Sequence, residues 1–156
     1  TAHPDKAMQP TPHLSLRPLP PHADTAPRAE LLLDGRPTGC TVPGAVLEFA
    51  VDIAGRHLLF LTDDVPHEEV LSIVLLDAGF QLLDSATIGR AYHTGLFAHP
   101  RLIEPGRVEF EFMGHGTWAV DVWAAPRLRL PFVPDAAGVG RPFGLHRHFI
   151  VSFKPG

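Results

Sequence analysis

From Glu30 onward the chain is a succession of short apolar runs separated by Gly, Pro and Asp, the pattern of strands and turns. Leu47, Phe49, Val51 and Ile53 alternate with Glu48, Ala50 and Asp52. This period of two buries one face of a strand and wets the other, until Ala54-Gly55-Arg56 turns the chain. His57 to Thr62 returns as a nearly continuous apolar run stopped by Asp63-Asp64. Val70 to Leu76 and Phe80 to Ile88 flank Asp77-Ala78-Gly79, where the glycine is placed to take the positive φ of a short hairpin loop. Both runs are apolar on two faces, so this pair is expected at the centre of a sheet.

Arg107 to Leu130 specifies a meander in more detail. With Val108, Phe110 and Phe112 facing inward and a turn over Met113 to Thr117, pairing Phe112 with Trp118 sets Phe110 beside Val120 and Val108 beside Val122. On the other face Glu109 then lies across from Asp121, an unfavourable pair of like charges. A second turn through Trp123-Ala124-Ala125-Pro126 would set Leu128 beside Val120 and bring Arg127 to Asp121. In this register Trp123 falls on the polar face. Beyond Pro131 the chain is rich in Gly, Pro and Ala as far as Gly144, and Leu145 to Phe153 forms a closing strand. In that strand Leu145, Arg147, Phe149, Val151 and Phe153 share one face.

The fold class is therefore all-β: a single-domain antiparallel β-sandwich or barrel of about 8-9 strands spanning residues 28–156. Nine of the 17 prolines lie in the first 43 residues. Proline fixes φ and removes a backbone donor, so residues 1–27 are expected to form an extended or disordered arm. Such an arm either docks on a partner that recognises proline-rich segments or straps across the barrel.

Composition narrows the function classes. With 156 residues, 45% apolar and 19% charged, the chain suits one globular domain with a core of its own. The net charge of −4 is uneven: residues 1–100 carry 6 Lys/Arg against 12 Asp/Glu, and residues 101–156 carry 7 against 5. The cations are scattered and only two are lysines, so the basic footprint of a nucleic-acid binder is missing. No uninterrupted apolar run is long enough for a membrane helix. The single cysteine, Cys40, fits a reducing compartment, and the cytoplasm is the expected location, although a chain opening at Thr1 leaves room for a removed leader. The oligomeric state is not fixed by the sequence.

Three groups of residues carry candidate chemistry. His146-Arg147-His148 places two imidazoles on the same side of a strand, an arrangement that can share a divalent metal ion. Gly140, five further residues and this His-x-His resemble the opening of the first motif of the cupin family, which implies a metal-binding β-barrel with His146 and His148 as ligands. The resemblance covers nine residues, and no carboxylate follows His148 to take the place of the family's glutamate. The competing reading is two packed or solvated histidines. The acidic stretch Asp63, Asp64, His67, Glu68 and Glu69 lacks the spacing of a Ca²⁺ loop, and presents instead a negative surface to a partner or an ordinary solvated connection. Glu109 and Asp121, too closely opposed to hold a sugar between them, read as a charge ladder and not as glycosidase carboxylates. Cys40 lacks any local sign of an activating base.

No complete catalytic constellation emerges. The leading expectation is a non-enzymatic β-domain that binds another protein through the 63–69 loop and Trp123, with toxin neutralisation as one form of that role and no cofactor. The alternative is a metal-dependent, cupin-like enzyme or small-ligand carrier built on His146 and His148.

Overall fold

The computed structural model describes residues 8–21, 26–63, 69–89, 95–129, 135–142, 144 and 146–156. Among them the strands are, in chain order, β1 (Met8–Pro10), β2 (Leu14–Pro18), β3 (Arg28–Leu33), β4 (Arg36–Pro43), β5 (Val46–Ile53), β6 (Arg56–Thr62), β7 (Leu71–Leu76), β8 (Leu82–Ile88), β9 (Ala98–Ile103), β10 (Arg107–Glu111), β11 (Gly116–Leu128), β12 (Val139–Gly140) and β13 (His146–Pro155). No helix among the described residues is long and apolar enough to cross a membrane.

The strands build three sheets, ordered β1-β5-β6-β7-β8-β12, β13-β11-β10-β9 and β2-β3-β4. Every pairing is antiparallel. The architecture is thus all-β, as the apolar pattern requires. It is not one sandwich of eight or nine strands, and it is not a barrel: among the described residues thirteen strands lie in three sheets, and none of these closes on itself. The difference has a physical origin in the two-faced apolar runs. Leu58 and Phe60 of β6, and Leu71, Ile73 and Leu75 of β7, pack toward Val108, Phe110, Trp118, Val120, Phe149 and Val151 of the four-stranded sheet. The intervening Leu59, Leu61, Val74 and Leu76 pack toward Leu14, Leu31 and Val42 of the three-stranded sheet. A sheet apolar on both faces needs a layer on each side, and the third sheet is that second cover. All six residues of β7 are buried and it lies at the centre as expected, but β8, expected there with it, is exposed at Leu82 and Thr87 and has only the two-residue β12 beyond it.

Each fully buried Leu, Ile or Phe in these layers contributes roughly 1.5–3 kcal/mol. Between the first two sheets the aromatic rings of Phe60, Phe97 and Phe110 meet at centroid separations of 5.2 Å, with Phe60 edge-on to Phe110.

Turns follow local chemistry. Ala54-Gly55 and Asp34-Gly35 both take positive φ, the backbone of a two-residue hairpin whose twist matches its strands. The β7–β8 loop differs from expectation. Phe80, not Gly79, carries the positive φ (64°), and its ring stacks on His57 at 4.7 Å. Asp77 Oδ1 accepts from the amides of Gly79 and Gln81, which fixes the loop without help from the glycine.

The β10–β11 register is shifted by two residues from the expected one. Phe110 pairs with Trp118, Val108 with Val120, and Arg107 with Asp121. A shift of two preserves faces, so the inward set is unchanged while the outward partners are different. The shift arises because Phe112 and Met113 leave the ladder, and the Trp118 indole donates to Met113 O at 2.9 Å across the turn. Nor does the chain turn at Pro126. β11 runs on to Leu128 and pairs with β13, with Trp118 beside Phe153 and Val120 beside Val151. Between Val122 and Arg127 the register slips, so Pro126 sits in a bulge where its missing amide breaks no ladder bond.

Candidate interaction surface

The central sheet packs on the inner face of the four-stranded sheet, and among the described residues no further sheet packs on its outer face. One half of this face is neutralised pairwise. Arg107 donates from Nε to Glu109 at 3.0 Å and from Nη1 to Asp121 at 2.8 Å, and Arg101 approaches Glu109 at 3.0 Å. Glu109 and Asp121 are therefore clamped by one guanidinium instead of facing each other. Their carboxylates also hold the Arg107 pKa above its ordinary value, with the Glu109 hydrogen bond the largest cause. Arg127, expected beside Asp121, does not reach it.

Farther along β11 the chemistry changes. Trp123 is half-buried, and Arg127 lies over it with its guanidinium carbon 4.3 Å from the ring centre. From the central sheet Arg56 Nη1 donates to Trp123 O at 2.9 Å, and burial pushes the Arg56 pKa down. Ile103, Glu104, Pro105, Gly106, Arg129 and Ile150 complete a shallow cleft of about 540 Å³ around this tryptophan. Gly106 allows the cleft floor to close: a Cβ there would stand 2.6 Å from Val122 O. Ile103 of the cleft is exposed, as is Leu128 farther along β11.

A second cluster is buried. Asp84 of β8 pairs with Arg141 Nη2 at 2.6 Å, and Arg141 Nη1 reaches Asp135 at 2.9 Å and Phe149 O at 3.2 Å. Asp84 also accepts from the amide of His148, and Asp135 from the amide of Val151. Arg147 donates to Pro142 O and stands 3.6 Å from Asp84. Two cations and two anions balance here. They satisfy backbone groups on the free edge of β13 and join it to β8, where another strand would otherwise be needed.

The remaining sequence candidates are dispersed. Asp63 follows β6 and is half-buried; burial raises its carboxyl pKa, and the charge of Glu69 raises it further. Asp64, His67 and Glu68 lie outside the described residues. Asp63 and Trp123 flank opposite ends of β6, because Arg56 at its start touches Trp123 and Thr62 at its end precedes Asp63. At about 3.3 Å per residue the strand separates them by roughly 20 Å, so they belong to two surfaces. His146 is exposed and His148 half-buried at alternate positions of β13. Among the described residues no three His, Cys, Asp or Glu side chains are grouped to hold a metal ion. Cys40 is half-buried in β4, and burial raises its thiol pKa more than Arg28 lowers it.

Sequence reasoning missed Asp84, Asp135 and Arg141, and missed Arg56 and Arg129 beside Trp123. A signal existed for Asp84: it alternates with Ala86 and Ile88, which places a carboxylate on the buried face of β8. Comparison with protein-family models, curated proteins and solved structures found no match for the chain.

Proposed function

We propose that this chain is a non-enzymatic β-domain that binds another protein, and that Trp123 and the cleft around it form its contact surface. The supporting observation is the half-exposed Trp123 under Arg127, flanked by Ile103 and Ile150 on a sheet face that no other sheet covers among the described residues. Tryptophan and arginine are the residues most enriched at the energetic centres of protein interfaces, and a stacked pair loses little conformational freedom on binding. The Asp63 and Glu69 end of the domain is a separate acidic surface, suited to steering a basic partner into contact.

The test is affinity capture from an extract of the organism that encodes the chain, comparing the wild type with Trp123→Ala and with Asp63→Asn/Glu69→Gln. A partner recovered at stoichiometric amounts with the wild type and lost with Trp123→Ala supports the assignment. Equal recovery with Trp123→Ala moves the contact surface elsewhere.

A further inference from the structure

Of the ten described arginines, Arg17, Arg101, Arg107, Arg141 and Arg147 stand in ion pairs with carboxylates. Three of the other five, Arg56, Arg127 and Arg129, gather around Trp123. Asp121 is paired with Arg107, and Glu104 accepts the amide of Met8 at 3.2 Å but keeps its charge. With Arg56, Arg127 and Arg129 against Glu104, the described residues of the cleft still carry a net positive charge beside an apolar floor, on a face whose other half is neutralised pair by pair. Arg127 sits over the indole with its guanidinium carbon 4.3 Å from the ring centre, and no carboxylate among the described residues takes its N–H donors. Such donors, held in place by the indole, suit a planar carboxylate acceptor.

We infer that the Trp123 cleft takes an acidic segment of a partner protein, its carboxylates engaging Arg127 and Arg129 and a neighbouring apolar side chain resting on Trp123 and Ile103. This rests on the reading of the domain as a protein binder and names the chemistry of what it binds. A nucleic-acid strand fits less well. The cations are few, and the walls contributed by Ile103, Pro105 and Ile150 match an apolar side chain and offer nothing to a phosphate backbone.

Fluorescence anisotropy with short labelled peptides tests it. The probes are a peptide alternating Glu with Leu, the same peptide with Gln for Glu, and a single-stranded oligonucleotide. The Glu peptide binds the wild type and weakens as salt is raised, and Arg127→Glu/Arg129→Glu lowers its affinity by about tenfold or more. The milder Arg127→Gln/Arg129→Gln, checked for a wild-type circular dichroism spectrum, reproduces the loss if the reversal variant does not fold. Equal binding of the Gln peptide, or no binding of either peptide, overturns the acidic ligand. Binding of the oligonucleotide alone overturns it in favour of nucleic acid. A partner whose capture needs Trp123 but is indifferent to both arginine pairs overturns this inference and leaves the protein-binding reading standing.

Discussion

Arg141 holds the Asp84 carboxylate at 2.6 Å and also donates to Phe149 O, so β8 of the central sheet is tied to β13, the edge strand of the neighbouring sheet. The same carboxylate receives the amide of His148, so one side chain does the work of a hydrogen-bonding strand. Removing it leaves the nearly enclosed Arg147 without a carboxylate and Arg141 with Asp135 alone. Asp84→Ala is expected to destabilise the fold by about 3–5 kcal/mol, the cost of breaking a buried ion pair from one side. Urea denaturation measures this, and a loss below about 1 kcal/mol would mean that the cluster is solvated and not structural.

The central layer makes a separate demand. Phe60 is fully buried and touches Phe49, Phe97 and Phe110. Phe60→Ala is expected to cost about 3–5 kcal/mol. A cost near zero would show that the two sheets do not close on this ring.

How much of this was legible in the sequence depends on what each signal constrains. The lack of alternation along β7 reported two buried faces directly, whereas the alternation along β5 held only from Phe49 on: a bulge between Leu47 and Phe49 turns Leu47 to the other core, and Ala50, expected on a wet face, is buried there with it. Strand count and layer count were not legible. The prolines that make residues 8–18 resemble a loose arm are tolerated in β1 and β2, which lie at sheet edges. Pro126 misled in the same way, since a bulge absorbs it without ending β11. The β10–β11 register failed by two residues because faces are insensitive to an even slip, and the charge criterion that should have decided it had two solutions. Arg127 could answer Asp121 from a neighbouring strand, or Arg107 could do so from the opposite one, and the structure uses Arg107. The Trp123 cleft was half legible: the tryptophan's face follows from parity, but Arg56 arrives from another sheet.

Cys40 is expected to react slowly. Burial raises its pKa, so the thiolate that reacts is scarce at mildly alkaline pH. Iodoacetamide is expected to alkylate it several-fold more slowly than a free cysteine at about pH 8, by mass spectrometry, and more slowly still relative to the protein in denaturant. Alkylation as fast as free cysteine would reopen a nucleophilic role.

Asp63 gives a pH signature. Its carboxyl pKa is raised in the fold, so the protonated form is favoured there. That contribution to stability is fully present below the unfolded value of about 3.9 and is lost as pH rises through the folded pKa. At neutral pH the charged form costs stability, and Asp63→Asn is expected to raise the melting temperature. The gain should shrink to nothing in acid. A gain independent of pH would trace to something other than the charge.

The assignment of Trp123 as the centre of a protein-binding surface is tested most directly by quantitative capture of a partner with the wild type and with Trp123→Ala, both verified as folded. The expected result is a stoichiometric partner reduced at least about tenfold by Trp123→Ala, in line with loss of a central interface aromatic. Undiminished capture by Trp123→Ala would contradict it.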